Sequence, residues 1–155
     1  MSQTTSQKIV LTLDQQKNLL DAAINAKNKA YCPYSKFQVG CSLLSVTDQI
    51  YSGCNLETSN YHGACAEKSA AANMLLNGET KAKAAVVVTN EMNSTSFPCG
   101  ACRQTLREFC HDVENFAVYS FSGDGKNYSV MYLGELLPCS FGPENLLDSD
   151  GKSMW

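Results

Sequence analysis

Cys65-Ala66-Glu67-Lys68 and Pro98-Cys99-Gly100-Ala101-Cys102-Arg103 decide the fold, because their side chains make chemical sense only if the two stretches meet. Together they offer three thiols and one carboxylate. Three thiolates are one ligand short of a closed tetrahedral zinc shell, so Zn²⁺ held by Cys65, Cys99 and Cys102 would keep a position for water. Glu67, two residues from a ligand, is placed to move protons on and off that water. Each motif also opens a stretch that reads as a helix. Helix starts carry unpaired N–H groups and the positive end of the dipole, and both favour the thiolate a metal needs.

Outward from the motifs, residues 64–77 are alanine-rich and helical, with Gly78 as the C′ residue. Residues 84–89 form a continuous apolar, β-branched run, the pattern of a strand buried on both faces. Residues 90–97 read as a polar loop, and residues 99–110 as the second motif helix. Strands are expected at 116–121 and 128–133, with a turn at 123–125 and a short helical turn at 134–137. Residues 140–155 show little pattern.

Upstream, Leu19, Ala23, Ala26 and Ala30 recur at helical spacing. Thr12 is the candidate N-cap and Gln15 can complete a capping box, and the helix should end before Pro33. Residues 37–46 and 50–55 read as a hairpin, followed by a polar loop at 56–63. The order α-β-β-α-β-α-β-β, a hairpin followed by crossovers, implies an α/β fold: a mixed sheet with helices on its faces. The expectation is one domain over residues 1–155, with 1–11 a flexible arm and 148–155 a tail.

Composition narrows the partners. The 155 residues carry 12 Lys and Arg against 15 Asp and Glu, and the basic residues are scattered. That argues against nucleic acid and anionic membranes as partners and favours a small, weakly charged substrate. No apolar run approaches membrane-spanning length. The eight cysteines do not read as a secreted disulfide framework, since residues 1–7 are polar and lack an apolar h-region. A reducing, cytoplasmic setting is expected, in which clustered cysteines bind metal. Cys32, Cys41, Cys54, Cys110 and Cys139 stand outside the motifs and are expected to be small buried apolar side chains.

Three thiolates on one Zn²⁺ sum to a charge of about −1. Lys68 and Arg103, each beside a motif residue, are the candidate compensating cations. Two other readings remain at this point. Cys54 could close a structural four-cysteine site, or Cys99 and Cys102 could form a redox pair that leaves Cys65 and Glu67 unexplained.

The pairing of C-x-E with P-C-x-x-C is the zinc deaminase signature. With cysteine as first ligand, the chain resembles the small homotetrameric cytidine deaminases from about residue 14 to 147. Supporting segments are Tyr-Cys-Pro-Tyr-Ser-Lys-Phe at 31–37, Gly-Cys-Asn-Leu-Glu at 53–57, and Glu-Leu-Leu-Pro with Ser-Phe-Gly-Pro at 135–143. The resemblance implies a three-layer α-β-α fold with a mixed five-stranded sheet and one Zn²⁺ per subunit on Cys65, Cys99 and Cys102. It also implies that Glu67 takes a proton from water at the metal, and that the hydroxide attacks C4 of cytidine or 2′-deoxycytidine. Glu67 would then protonate N3 and help ammonia leave.

The resemblance further implies that Asn55 and Glu57 hydrogen-bond the ribose 3′-hydroxyl. Phe37 would stack on the base, and the backbone at Ala66 and Cys99 would bind the base edge. Tyr61 and Phe141 would reach a neighbouring subunit's pocket, giving a homotetramer with shared active sites. Lys68 stands where relatives usually carry arginine. Alternatives within this reading are another aminopyrimidine nucleoside or cytosine within RNA. A non-catalytic zinc-stabilised protein is the alternative from another class.

Overall fold

A computed structural model describes residues 8–148 and 150–152. Its centre is β3 (Ala82–Thr89), flanked by β1 (Val39–Ser45) and β4 (Ala117–Phe121). With β2 (Ile50–Cys54) and β5 (Tyr128–Tyr132) at the edges, the five-stranded order is β2-β1-β3-β4-β5. Only β3 and β4 pair in parallel, in the register Ala84 to Ala117 through Val88 to Phe121. The other three pairings are antiparallel. This is the mixed sheet expected. The run at 84–89 is buried throughout, as a strand covered on both faces must be.

Helix α1 (Leu13–Lys27) covers one face, packing Leu19 and Ala23 on Leu44, Ala84, Val86 and Val88. Helices α2 (Ala66–Leu76) and α3 (Gly100–Phe109) cover the other with the short α4 (Leu133–Leu136). There Ala66, Ala70, Met74 and Leu106 meet Cys41, Leu43, Ala85, Val87 and Val118. Alternate residues of one strand thus feed two cores, as the period of two requires.

The capping box of α1 is present. The Gln15 N–H donates to Thr12 Oγ1 at 3.2 Å, and the Thr12 N–H donates to Gln15 Oε1 at 3.0 Å. The helix ends at Lys27, well before Pro33, because the chain turns there to pair Tyr31 with Leu56. Gly78 follows α2 with φ +83°, the left-handed C′ conformation. At Gly53 of β2 a Cβ would fall 2.2 Å from the Ala70 N, so glycine there lets α2 lie against the sheet.

Two expectations shift. Residues 8–11, read as part of a loose arm, lie along β4 and β5: the Leu11 N–H donates to Tyr119 Oη and Tyr132 Oη donates to the Ile9 carbonyl. The expected arm at 1–7 lies outside the described residues. In the segment read as patternless, Pro143–Leu146 forms a 3₁₀ turn, and Arg107 pairs with Glu144 beneath it. The pattern is hidden because its anchor is a buried arginine on α3 rather than an apolar repeat. Among the described residues, no helix is long and apolar enough to cross a membrane.

Candidate functional site

The two motifs meet where α2 and α3 begin. Cys65 is the N-cap of α2 and Cys99 the N-cap of α3, each with extended backbone. Cys102 lies in the first turn of α3 and is buried. The three Sγ atoms lie within 4.8 Å of one another. Tetrahedral zinc with Zn–S bonds of about 2.3 Å needs sulfurs about 3.8 Å apart, so only a small contraction separates this cluster from a metal shell. The cluster fits a zinc site. Cys54 is not part of it, and these three form the only such group of His, Cys, Asp or Glu among the described residues. The closed four-cysteine reading therefore loses its fourth ligand.

Glu67 is 4% exposed on the first turn of α2, and its Oε2 accepts a hydrogen bond from Cys102 Sγ at 3.2 Å. The carboxylate thus touches the cluster rather than solvent. Burial, then the Glu67 charge, pushes the Cys102 thiol well above its ordinary range. Burial raises the Cys65 thiol as well. Burial also acts on Cys99, but hydrogen bonds from the Cys102 backbone and from the other two thiols outweigh it and hold it below its ordinary value. The surroundings thus favour the thiolate at Cys99, and a bound cation's charge would favour it at Cys65 and Cys102 as well.

A cavity of about 450 Å³ opens against this cluster. That is within the usual range for small-molecule sites. Phe37, Asn55, Glu57, Cys65, Ala66, Glu67 and Cys99 all line it. So do residues the sequence reading did not single out: Val87, Thr89, Ser96 and Phe97 among them. Ser96 and Phe97 directly precede Pro98, so their nearness to the motif was an available signal. Val87 and Thr89 could have been found from the rule that ligands bind beyond the carboxyl ends of strands in α/β sheets.

The far side of the cavity is built by the segment after β2 (Asn55, Leu56 and Glu57) and by Ser35, Phe37 and Val39 around the start of β1. Asn55 Nδ2 donates to the Phe37 carbonyl and Asn55 Oδ1 accepts from the Val39 N–H, each at 2.8 Å. Glu57 Oε2 accepts from the Tyr34 and Ser35 N–H groups at 2.9 and 3.1 Å. The Ser35 hydroxyl is the largest contributor holding the Glu57 carboxyl below its ordinary range, followed by those backbone donors and Lys36 against opposing desolvation. These two side chains thus fix the chain that carries Phe37, and each retains lone pairs or a proton toward the cavity.

Tyr61 and Phe141 do not line the main cavity. Tyr61 is 97% exposed with φ +63° and borders a smaller recess, which shares Ser35, Glu57 and Gly63 with the main one. Phe141 is 57% exposed, its carbonyl held by Gln104 Nε2 at 2.9 Å. Lys68 is exposed. Arg103 is half-buried and directed at the Pro98 and Leu136 carbonyls. Of the remaining cysteines, Cys32, Cys41 and Cys110 are buried as expected, Cys54 is partly exposed, and Cys139 is exposed in a turn with φ +53°.

Residues 13–120 match the family described as cytidine and deoxycytidylate deaminase zinc-binding region. Over 135 residues the chain is 38% identical to a cytidine deaminase of Sporosarcina psychrophila, covering 86% of this chain and 96% of that one. Over 137 residues it is 35% identical to a cytidine deaminase of Halalkalibacterium halodurans, covering 88% of this chain and 100% of the other. The crystal structure of cytidine deaminase from Burkholderia pseudomallei superposes with a TM-score of 0.73 at 34% identity, covering 84% of this chain and 100% of that chain.

Proposed function

This chain belongs to the cytidine and deoxycytidylate deaminase zinc-binding family, and from that premise we propose that it hydrolyses cytidine and 2′-deoxycytidine to uridine and 2′-deoxyuridine, releasing ammonia. The observation that carries the reading is the contact between Glu67 and the three-sulfur cluster at the head of a nucleoside-sized cavity. Cys65, Cys99 and Cys102 hold Zn²⁺, which when bound supplies the Lewis acidity that makes water a nucleophile near neutral pH.

The chain's own residues do the rest. A Cys102 thiolate cannot donate a hydrogen bond, so ligation frees Glu67 Oε2 to accept a proton from the attacking water. Glu67 then protonates N3 of the pyrimidine, C4 is attacked, and the same carboxyl carries the second proton to the departing amino group. Phe37 lies on the base, and the backbone at Ala66 and Cys99 meets its edge. Asn55 and Glu57 take the ribose 3′-hydroxyl, which both nucleosides possess. Lys68, next to Glu67 in the chain, and the two helix starts are the candidates for offsetting thiolate charge.

The cavity walls carry Glu57 and Glu67 but no lysine or arginine. That favours an uncharged nucleoside over a phosphorylated one or a polynucleotide. We read the working form as a cytoplasmic homotetramer, with Tyr61 and Phe141 completing a neighbour's pocket. Each chain is a single deaminase domain. Following ultraviolet absorbance with cytidine, 2′-deoxycytidine, cytosine, the 5′-monophosphate of cytidine and adenosine tests the proposal. Turnover of the first two alone is expected. Turnover only of adenosine, or of none, would overturn it.

A further inference from the structure

We infer that Arg103 is a positioning residue for the three-cysteine centre, acting through the peptide before Cys99 rather than through its charge. The inference rests on Cys65, Cys99 and Cys102 being the zinc ligands. Arg103 follows Cys102 in the first turn of α3. Its Nε–H donates to the Pro98 carbonyl at 2.7 Å and its Nη1–H donates to the Leu136 carbonyl at 2.8 Å. The Pro98 carbonyl belongs to the peptide that leads into Cys99. Pro98 is fully buried and has no N–H with which to fix itself.

The second anchor is rigid. Leu136 closes α4, whose start is tied by the Leu133 N–H to the Phe116 carbonyl at 2.9 Å and by the Gly134 N–H to the Val113 carbonyl at 3.0 Å. The guanidinium therefore braces the ligand turn against an element that is itself locked to the strand-edge loops. Both acceptors are neutral carbonyls, so what this contact demands is a planar fork with two donors at a fixed angle. Lysine carries the same charge and cannot make that fork. The neighbouring polar residues of α3 grip elsewhere: Gln104 holds the Phe141 carbonyl, and Arg107 holds Ser140 and Glu144. Among these three side chains, only Arg103 reaches the ligand turn.

Zinc release to a chromogenic chelator, 4-(2-pyridylazo)resorcinol, tests this on holoprotein, with cobalt-substituted protein giving the thiolate charge-transfer spectrum. Arg103→Met and Arg103→Lys are both expected to release zinc at least roughly tenfold faster, the scale seen when outer-shell partners of metal ligands are lost. Both should also alter the cobalt spectrum, while Gln104→Ala matches the parent. Arg103→Lys matching the parent would overturn the proposal in favour of charge alone, and it decides the matter even if Arg103→Met does not fold. Equal loss in Gln104→Ala would assign the effect to general packing of α3 and overturn it too. Parent protein that binds no zinc would overturn the zinc reading itself, and this inference with it.

Discussion

Glu67 shows how much chemistry one carboxylate gains from its surroundings. On an exposed first turn it would complement the helix dipole, worth roughly 0.3–1 kcal/mol. Buried against Cys102 it has a thiol for a neighbour and a cavity in front of it. Glu67→Ala should therefore keep about one zinc per chain while losing roughly 10²-fold or more in turnover. Metal analysis and a steady-state assay on the same sample check both halves, and retained activity would move proton transfer to another group. Glu57 behaves differently with pH. Hydrogen bonds led by the Ser35 hydroxyl hold its folded pKa below the ordinary value. Such a depressed group contributes stability that is present above the unfolded carboxylate value of about 4.3 and is lost as pH falls through the lower folded value. KM should accordingly stay flat on the acid side until pH drops below about 4.3, and Glu57→Gln should remove any rise seen beneath it. A KM that climbs between neutral pH and 5 and is unaffected by Glu57→Gln would place the titrating group elsewhere.

Element by element, the site depends on how closely helices approach strands. At Gly53 a Cβ would lie 2.2 Å from the Ala70 N of α2, the helix that carries Glu67 and is capped by Cys65. Gly53→Ala should push that helix away from β2, costing about 1–3 kcal/mol by overpacking and weakening zinc retention. Thermal unfolding and chelator challenge measure the two effects, and a variant with parental values for both would contradict the argument. Thr12→Ala, by contrast, removes only a cap, and about 1 kcal/mol of stability should go with no change in metal affinity. These elements differed in how well they could be read. The capping box at Thr12 and Gln15, the C′ glycine at 78 and the buried run of β3 are local patterns, and local patterns survive in sequence. The two cysteine motifs were legible because ligand spacing carries its own geometry. What stayed hidden was non-local. Docking of residues 8–11 depends on two tyrosine hydroxyls over a hundred positions away. Likewise, the segment after Pro138 is held by Arg107, whose buried guanidinium no periodicity announces. Val87 and Thr89 lie at the carboxyl end of β3, which the strand-end rule could flag, but how that end meets the rest of the cavity wall depends on the sheet order.

For the whole molecule, the single chain leaves aromatic surface exposed: Tyr34 and Tyr61 border the recess beside the main cavity, and Tyr31 and Phe141 are exposed as well, Phe141 on the segment gripped by α3. Tyr61 is almost fully exposed and held at positive φ, an uncommon arrangement for a large aromatic residue. Sedimentation should therefore find an assembly larger than one chain, and Tyr61→Ala or Phe141→Ala should loosen it or raise KM. A fully active monomer would contradict the shared-pocket reading while leaving the metal chemistry intact. That chemistry is the centre of the account: two helix starts bring three sulfurs together beside Glu67 and the cavity, so Zn²⁺ held there would keep a fourth position for water. X-ray absorption at the zinc edge of the purified protein tests it most directly. The predicted spectrum has three sulfur neighbours at about 2.3 Å and one lighter oxygen or nitrogen neighbour. Four sulfur neighbours would mean a closed structural site and would contradict the account.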